Sequence, residues 1–246
     1  MCTLVLAWQV FEGTPVVATA NRDEFLDRPS RPPAVVGEDP RVVAPRDEEA
    51  GGTWIGYNAH GLLVAITNRW AEVTGDRSRG LLVRDALRQP SAEEAARLVE
   101  HELDARAYAG FNLVLADASA AIYLEWDGNL GVRNFRPGAH VVVNVGADGE
   151  FWIPEDRQDE AERQAANAGK VATALQPEPG ERSEEWLDRA ADVISDHAYG
   201  VCVHREGENF GTCSSSLITL GEDGATYEFA DGPPCETPYE RVDSEI

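Results

Sequence analysis

Short β-rich runs separated by turn residues fill most of this chain and constrain its fold more than any other feature. The first two runs, Thr3–Val10 and Pro15–Ala20, flank Glu12-Gly13-Thr14, which is typical of a hairpin turn. Further runs of this kind are Thr53–Tyr57, Leu62–Thr67, Phe111–Ala116, Ala121–Trp126, Val132–Phe135, His140–Val145, Val201–His204, Ser215–Leu220 and Thr226–Phe229. Because consecutive hairpins build antiparallel sheets, the pattern predicts sheets at the centre of the fold.

Two helical blocks interrupt the β-rich runs. The first holds Leu81–Leu87 and Ala95–Leu103, and a capping box of Ser91 and Glu94 precedes the latter. The second holds Glu155–Leu175 and Glu184–Asp196, with Ser183 as the predicted N-cap. The apolar face of the last helix comprises Trp186, Leu187, Ala190, Val193 and Ile194. We therefore expect an α+β fold in which helices cover packed sheets.

The domain organisation follows from what separates these elements. The polar, proline-punctuated segment Asn21–Pro33 is predicted to be a loop. There is no internal repeat and no interdomain linker, so residues 1–232 are predicted to form a single domain. The stretch from Asp231 to Ile246 carries three prolines and five acidic residues, and we expect residues 233–246 to be an acidic, mobile tail.

The charge balance is strongly acidic, with 44 acidic and 21 basic residues and a net charge of −23. Molar salt shortens the Debye length to about 3 Å and screens such self-repulsion, so we interpret the acidity as halophilic adaptation to a salty cytoplasm. Nucleic-acid binding requires a basic footprint and is not expected. No apolar run reaches the roughly 18 residues of a membrane span, and Thr3–Trp8 is too short for a secretory signal. A cytoplasmic protein without a membrane span is the prediction.

The four cysteines, Cys2, Cys202, Cys213 and Cys235, include no C-x-x-C pair and match neither a zinc framework nor a disulfide scaffold. A reduced compartment fits this pattern. His197, Cys202, His204 and Cys213 are the one alternative, since both residue types bind zinc, but their spacing matches no common motif. We therefore predict neither a metal nor an organic cofactor.

Cys2 directly follows Met1 and is the strongest candidate for a nucleophile. Removal of Met1 would give this residue both a thiol and a free α-amine, which titrates at about 7.7–8.0. An N-terminal nucleophile activated by its own amine is an established form of covalent catalysis. The alternative is a small residue packed within the first strand, since free cysteine is often buried.

The tetrapeptide Asn21-Arg22-Asp23-Glu24 ends the second β-rich run, and a hairpin would bring it beside Cys2. There a carboxylate can orient the amine and an arginine can lower the pKa of the thiol. On a regular strand Asn21 and Asp23 share one face and Arg22 points to the other. Arg22 and Asp23 can therefore serve Cys2 together only if the chain turns. The alternative is a polar, strand-terminating turn with a local ion pair.

Several motifs, in order and spacing, resemble the NRDE family, which includes the transport and Golgi organization 2 proteins. They are Met1-Cys2, Asn21–Glu24, Gly51–Gly56 (GGTWIG), Asn58–Arg69 (NAHGLLVAITNR), Ser78-Arg79-Gly80, Gly110–Leu113 (GFNL) and Ser214–Ile218 (SSSLI). The resemblance implies an N-terminal-nucleophile hydrolase-like fold, a four-layer αββα sandwich of two antiparallel sheets.

Within that superfamily the pattern is similar to the choloylglycine hydrolase and penicillin V acylase group, which carries Arg-Asn-x-Asp after the second strand. The matching Ala20-Asn21-Arg22-Asp23 retains the aspartate but has alanine at the arginine position, where Arg22 could substitute. The resemblance also implies an oxyanion role for Asn68 and a role near the α-amine for Asn144. Cys213 stands where an arginine is usual in that group.

These observations lead to two functional hypotheses. In the first, Cys2 cleaves a small amide or thioester, with Asp23 orienting the amine, Arg22 near the thiol, and Asn68 and Asn144 holding the oxyanion. In the second, implied by the resemblance, the fold binds and delivers haem or acyl-lipid metabolites without chemistry. A third interpretation gives Cys2 only a packing role. The expected partner is a small-molecule substrate or ligand, and the sequence does not predict the oligomeric state.

Overall fold

A computed structural model describes residues 2–205, 207–244 and 246 of the chain. It divides the chain into two compact units. The first contains Met1–Arg28 and Pro137–Val242, and the second contains Pro29–Arg136 and Asp243–Ile246. The single domain over residues 1–232 stays a prediction.

Strands account for most of the secondary structure, and the helices come in two pairs. The strands are β1 (Thr3–Phe11), β2 (Thr14–Phe25), β3 (Ser30–Val36), β4 (Val42–Asp47), β5 (Ile55–Asn58), β6 (Leu63–Asn68), β7 (Phe111–Ala116), β8 (Ala121–Trp126), β9 (Leu130–Asn134), β10 (Gly138–Val143), β11 (Gly146–Ala147), β12 (Glu150–Phe151), β13 (His204–Arg205), β14 (Phe210–Gly221), β15 (Gly224–Ala230) and β16 (Glu240–Arg241). The helices are α1 (Arg79–Ala86), α2 (Ala92–Ala105), α3 (Gln158–Ala174) and α4 (Ser183–Ser195), and Glu155–Arg157 and His197–Tyr199 form 3₁₀ turns.

The sheet of the first unit has β1 in its interior, and its main path runs β12-β11-β10-β1-β2-β14-β15-β16 with antiparallel pairing. β13 pairs with β14 beside this path. Helices α3 and α4 contact this sheet at β10 and β2. The buried residues of α4 are the five predicted from its periodicity. The start of β1 is therefore held between two partner strands.

The second unit contains one sheet, in which each strand from β3 to β9 pairs with the next strand along the chain. Helices α1 and α2 bury their apolar residues against β6, β7 and β8 in one core cluster. An ionic network around Arg77 joins α1 to α2. Arg77 donates to Asp85 at 2.5 Å, to Glu102 at 2.8 Å and to the hydroxyl of Tyr108 at 2.5 Å.

Two glycine-containing motifs meet where α1 begins. The N–H of Thr53 donates to the carbonyl of Gly80 at 3.0 Å. A Cβ atom on Gly52 would lie 2.2 Å from the carbonyl carbon of Gly80, which leaves no space for a side chain. Gly51-Gly52-Thr53 and Ser78-Arg79-Gly80 thus form one backbone contact, for which both glycines supply the space.

Most predicted elements are confirmed, including both hairpins near the N-terminus and the two antiparallel sheets. The loop predicted over Asn21–Pro33 is wrong, because β2 continues to Phe25 and β3 begins at Ser30. β3 is an edge strand whose pairing shifts between Arg31 and Ala34, where Pro32 and Pro33 lie. Edges and bulges are where strands tolerate prolines. The predicted N-cap Ser183 is instead the first residue of α4, and Arg182 is the N-cap.

The C-terminal segment from residue 233 to residue 242 makes several contacts in the first unit. β16 pairs with β15, and the hydroxyl of Tyr239 lies 2.7 Å from that of Ser215. Part of the segment predicted to be a tail is therefore attached to the sheet, and the mobility of the remainder stays a prediction. Within the described residues, none of the helices combines the length and the apolar character needed to cross a bilayer.

Candidate functional site

Cys2 lies immediately before β1, where the pairing with β2 sets Thr3 opposite Asn21. Its Sγ atom is 3.4 Å from both the backbone nitrogen and the carbonyl oxygen of Asp23. The N–H of Asp23 donates to the sulfur, and the thiol donates to the carbonyl. The β1–β2 hairpin thus brings the Asn-Arg-Asp-Glu segment beside Cys2. Met1, whose removal would expose the amine of Cys2, lies outside the described residues.

The thiol of Cys2 is electrostatically disfavoured as a thiolate. Burial raises its pKa, and the nearby charge of Asp23 acts in the same direction. The charge of Arg22 opposes this shift. A neighbouring base is therefore required to make the thiol a nucleophile at neutral pH.

Asp23 is buried, and the Thr212 hydroxyl donates to its Oδ1 at 2.6 Å. Burial raises the pKa of the Asp23 carboxyl, and the hydrogen bond from Thr212 opposes that rise. The Thr212 hydroxyl also accepts from the N–H of Val203 at 2.8 Å. The N–H of Thr212 in turn donates to the carbonyl of Val203 at 2.8 Å. Asp23 is thus positioned through Thr212 by the chain around residue 203.

The side chain of Asn21 connects β2 to the backbone at the end of α4 and just after it. Its Nδ2 atom donates to the carbonyls of Ile194 and Val201, both at 2.9 Å. The amide therefore joins the end of α4 to the loop that follows the 3₁₀ turn His197–Tyr199. Sequence reasoning placed Asn21 on the face of Asp23 but missed this role, and the long separation along the chain left no local signal for it.

Arg22 is buried, and its guanidinium lies 3.8 Å from the carboxylate of Glu24. Its charge lowers the pKa of Cys213 against the effect of burial, as it does for Cys2. The pairing of β2 with β14 shifts between Thr212 and Ser214, which leaves Cys213 in a bulge. β2 does not end in a turn at Arg22, so both Arg22 and Asp23 influence Cys2 from a continuous strand.

The two candidate oxyanion residues belong to different units. Asn144 is buried and directly follows β10, whose last residue, Val143, is paired with Thr3. This register, continued by one residue, sets Asn144 across from Cys2. Asn68 ends β6 in the second unit, opposite Phe111, and is exposed. The first unit therefore brings together four of the five predicted site residues: Cys2, Arg22, Asp23 and Asn144.

A second group of reactive side chains lies in the first unit. The potential ligand atoms of His197, Cys202, His204 and Cys235 all fall within 4.8 Å of one another. The sequence-based alternative placed Cys213 in this group, and that assignment is wrong. The Cys213 thiol points at the carbonyls of Glu24 and Gly211 in its bulge. The fourth residue of the group is Cys235, because the C-terminal segment lies beside the loop that carries Cys202. The spacing of these residues in the sequence does not predict this contact.

Comparison with solved structures identifies the fold. The structure superposes on penicillin V acylase from Agrobacterium tumefaciens with a TM-score of 0.59 at 18% identity, covering 94% of this chain and 83% of that one. It superposes on the Caenorhabditis elegans N-acylethanolamine-hydrolyzing acid amidase ortholog with a TM-score of 0.58 at 12% identity, covering 88% and 92% of the two chains. The α+β prediction of an N-terminal-nucleophile hydrolase-like fold with two antiparallel sheets is confirmed.

Sequence comparison identifies the family. The transport and Golgi organization protein 2 homolog of Bos taurus is 29% identical over 234 residues, covering 85% of this chain and 83% of the relative. The family model described as Transport and Golgi organisation 2 matches residues 1–231. Nearly the whole chain carries this match, including Cys2, the Asn21–Glu24 segment and β14. The chain therefore belongs to the Transport and Golgi organisation 2 family.

Proposed function

We propose that this protein is an N-terminal-nucleophile hydrolase that cleaves a small amide or thioester through Cys2. The main observation in support of this proposal is the position of the Cys2 sulfur, 3.4 Å from the backbone nitrogen and carbonyl oxygen of Asp23. A buried carboxylate pinned by Thr212 accompanies it. This arrangement gives a thiol and, after loss of Met1, an α-amine on the same residue, with the fixed acid group of Asp23 on the neighbouring strand.

The reaction begins with transfer of the Cys2 thiol proton to the α-amine. The thiolate then attacks the substrate carbonyl carbon, and the carbonyl oxygen becomes an oxyanion. As the tetrahedral intermediate collapses, the bond to the leaving amine or thiol breaks, and the ammonium returns the proton to that group. Water attacks the resulting acyl-thioester by the same route, which releases the carboxylic acid and restores the thiol.

The residues around Cys2 have separable roles in this proposal. Asp23 orients the ammonium form of the α-amine and stabilises its charge. An amide donor from Asn144 stabilises the oxyanion, and loss of such a donor typically costs about 10²–10³ in rate. Arg22 offsets part of the effect of Asp23 on the thiol. The raised pKa of Cys2 makes proton transfer to the amine necessary for attack.

The names of the structurally similar proteins support the substrate class. One is an acylase and the other an N-acylethanolamine-hydrolyzing amidase, so acyl amides are the first compounds to test. The alternative function is binding and delivery of haem or acyl-lipid metabolites without turnover. Two observations favour it: the raised pKa of the Cys2 thiol, and Ala20 at the position where the acylase pattern has an arginine.

The test combines turnover with detection of the acyl-enzyme. Purified protein, checked by mass spectrometry for loss of Met1, is incubated with N-acyl nitroanilides and acyl-coenzyme A thioesters of graded chain length. We expect an acyl adduct on the N-terminal peptide and a rate that falls by about 10³ or more in Cys2→Ala. Cys213→Ala is the matched control, since it also removes a partly buried thiol bonded to a carbonyl near β2.

The outcomes separate the two functions. Turnover lost in Cys2→Ala and kept in Cys213→Ala supports hydrolysis. Stoichiometric binding of haem or acyl-coenzyme A by a protein that has lost Met1, with neither turnover nor adduct, replaces hydrolysis with the binding function. Equal turnover by the wild type and Cys2→Ala would refute the role of Cys2.

A further inference from the structure

We propose that His197, Cys202, His204 and Cys235 form a tetrahedral zinc site in the first unit. The site is separate from the Cys2 group, and none of its four ligands takes part in the proposed hydrolysis. The ligands come from three chain segments: the 3₁₀ turn His197–Tyr199, the loop and β13 that follow it, and the segment before β16. A metal here would join the C-terminal segment to that loop.

The distances among three of the ligand atoms fit one face of a zinc tetrahedron. The Sγ atoms of Cys202 and Cys235 are 3.5 Å apart, and the Nε2 atom of His204 lies 3.7 Å and 3.1 Å from them. Zinc bonds of about 2.3 Å to sulfur and 2.0–2.1 Å to nitrogen require about 3.8 Å between sulfurs and about 3.6 Å between sulfur and nitrogen. Each observed distance is within about 0.5 Å of these values, which side-chain rotations can supply.

His197 supplies the fourth corner. Its ring centroid lies 5.1 Å from that of His204, and its ligand atom is within 4.8 Å of the other three. The Asp196 side chain accepts from the N–H of Ala198, which caps the short turn that carries His197. Gly200 closes the turn with a φ of 68°, and this left-handed conformation suits glycine.

The surrounding backbone holds the ligands before any metal binds. Asn21 donates to the carbonyl of Val201, next to Cys202. Thr212 bonds both backbone groups of Val203, between Cys202 and His204. On the other side, Tyr239 bonds to Ser215 and anchors the segment that carries Cys235. Preorganisation of this kind reduces the ordering cost of binding.

The chemistry of the ligand set selects the metal. Two thiolates and two imidazoles are a structural zinc combination, whereas calcium and magnesium require oxygen ligands. The two thiolates neutralise the dication, so the loaded site adds no charge to a strongly acidic chain. The spacing of Cys202 and His204, followed by Cys235 much later, differs from common zinc motifs, which explains why sequence alone did not predict it.

The experiment measures metal content and coordination in the full-length protein. Protein is purified after zinc supplementation and analysed by elemental mass spectrometry, and a chelated sample is reloaded with Co²⁺. We expect one zinc per chain and a Co²⁺ spectrum with thiolate charge-transfer bands and tetrahedral d–d bands. At zinc about 100-fold above Kd, the Tm should rise by about 5–10 °C over the chelated protein.

Variants test the individual ligands. Cys235→Ser changes an exposed residue and His204→Ala another exposed one, so both should fold while losing the zinc and the Co²⁺ bands. Cys213→Ser and His101→Ala are the matched controls, and both should keep one zinc per chain. Zinc well below one per chain in wild type, with no Co²⁺ bands, overturns the proposal. So does a Cys202–Cys235 disulfide that persists in protein purified under reducing conditions, or zinc retained by Cys235→Ser and His204→Ala.

Discussion

Replacement of Thr212 by valine tests whether the link between Asp23 and residue 203 stabilises the protein. Thr212 is 1% exposed, and valine keeps its shape while removing the hydroxyl. The variant loses a hydrogen bond to a carboxylate, worth about 1.5–3 kcal/mol, and leaves the N–H of Val203 unsatisfied at about 1–3 kcal/mol. We therefore expect Thr212→Val to lower the free energy of unfolding by about 3–5 kcal/mol at pH 7.

The dependence of this loss on pH follows from the pKa of Asp23. Burial raises this pKa in the folded protein above its ordinary value. Protonated Asp23 therefore contributes to the free energy of unfolding in full below the pKa of the unfolded chain. This contribution is lost as the pH rises through the folded-state pKa. Removal of the hydroxyl raises the folded-state pKa further. The difference in stability between wild type and Thr212→Val should thus grow as the pH rises from the folded-state pKa of Asp23 in the wild type to that in the variant.

The assay is urea unfolding followed by tryptophan fluorescence and circular dichroism, at constant ionic strength and several pH values. Thr212→Ser is the control, because it keeps the hydroxyl and loses one methyl group, at a cost of about 1 kcal/mol. Equal m-values for the three proteins would validate the comparison. A Thr212→Val loss below about 1 kcal/mol at pH 7, or one that shrinks as the pH rises, would refute the reasoning.

Two further predictions concern the second unit and use the same unfolding assay. Gly52→Ala should cost about 2 kcal/mol or more, because its Cβ atom would meet the backbone of Gly80 at 2.2 Å. Gly51→Asn, at a φ of 69° with open space, should cost less than about 1 kcal/mol, and similar losses for both would contradict the steric argument. Arg77→Ala should cost about 2 kcal/mol, because it removes the shortest ion pairs of Asp85 and Glu102, which keep only longer contacts to Arg84 and Arg106. Arg97→Ala removes an exposed pair and should cost about 0.5 kcal/mol, so equal effects would show that burial of the network is irrelevant.

Local sequence patterns were sufficient to predict helices and hairpins whose buried residues recur at regular spacing along the chain. The apolar face of α4 was identified residue by residue, since helical spacing alone determines which side chains face the sheet. The β1–β2 hairpin likewise placed Asp23 beside Cys2, because a tight turn fixes which residues are opposite. In both cases the structure depends on residues that are close together in the sequence, so the sequence pattern predicts it.

Where a distant partner decides the structure, the sequence did not predict it. Pro32 and Pro33 suggested a loop, but pairing with β4 and an edge position make this segment a strand. Thr212 reaches Asp23 across 189 positions of the chain, and no local feature of either residue indicates the contact. Cys235 joins the histidine and cysteine cluster for the same reason, since only the return of the C-terminal segment brings it there.

The two sheets also differ in when they can form during synthesis. Every strand of the second unit pairs with its neighbour along the chain, so this sheet can assemble strand by strand as it leaves the ribosome. β1 instead requires β10, since Thr3 pairs with Val143. At about 5–20 residues per second this delay is on the order of ten seconds. The strand that begins beside Cys2 therefore has an open edge during translation, when it is accessible to N-terminal processing enzymes and to aggregation.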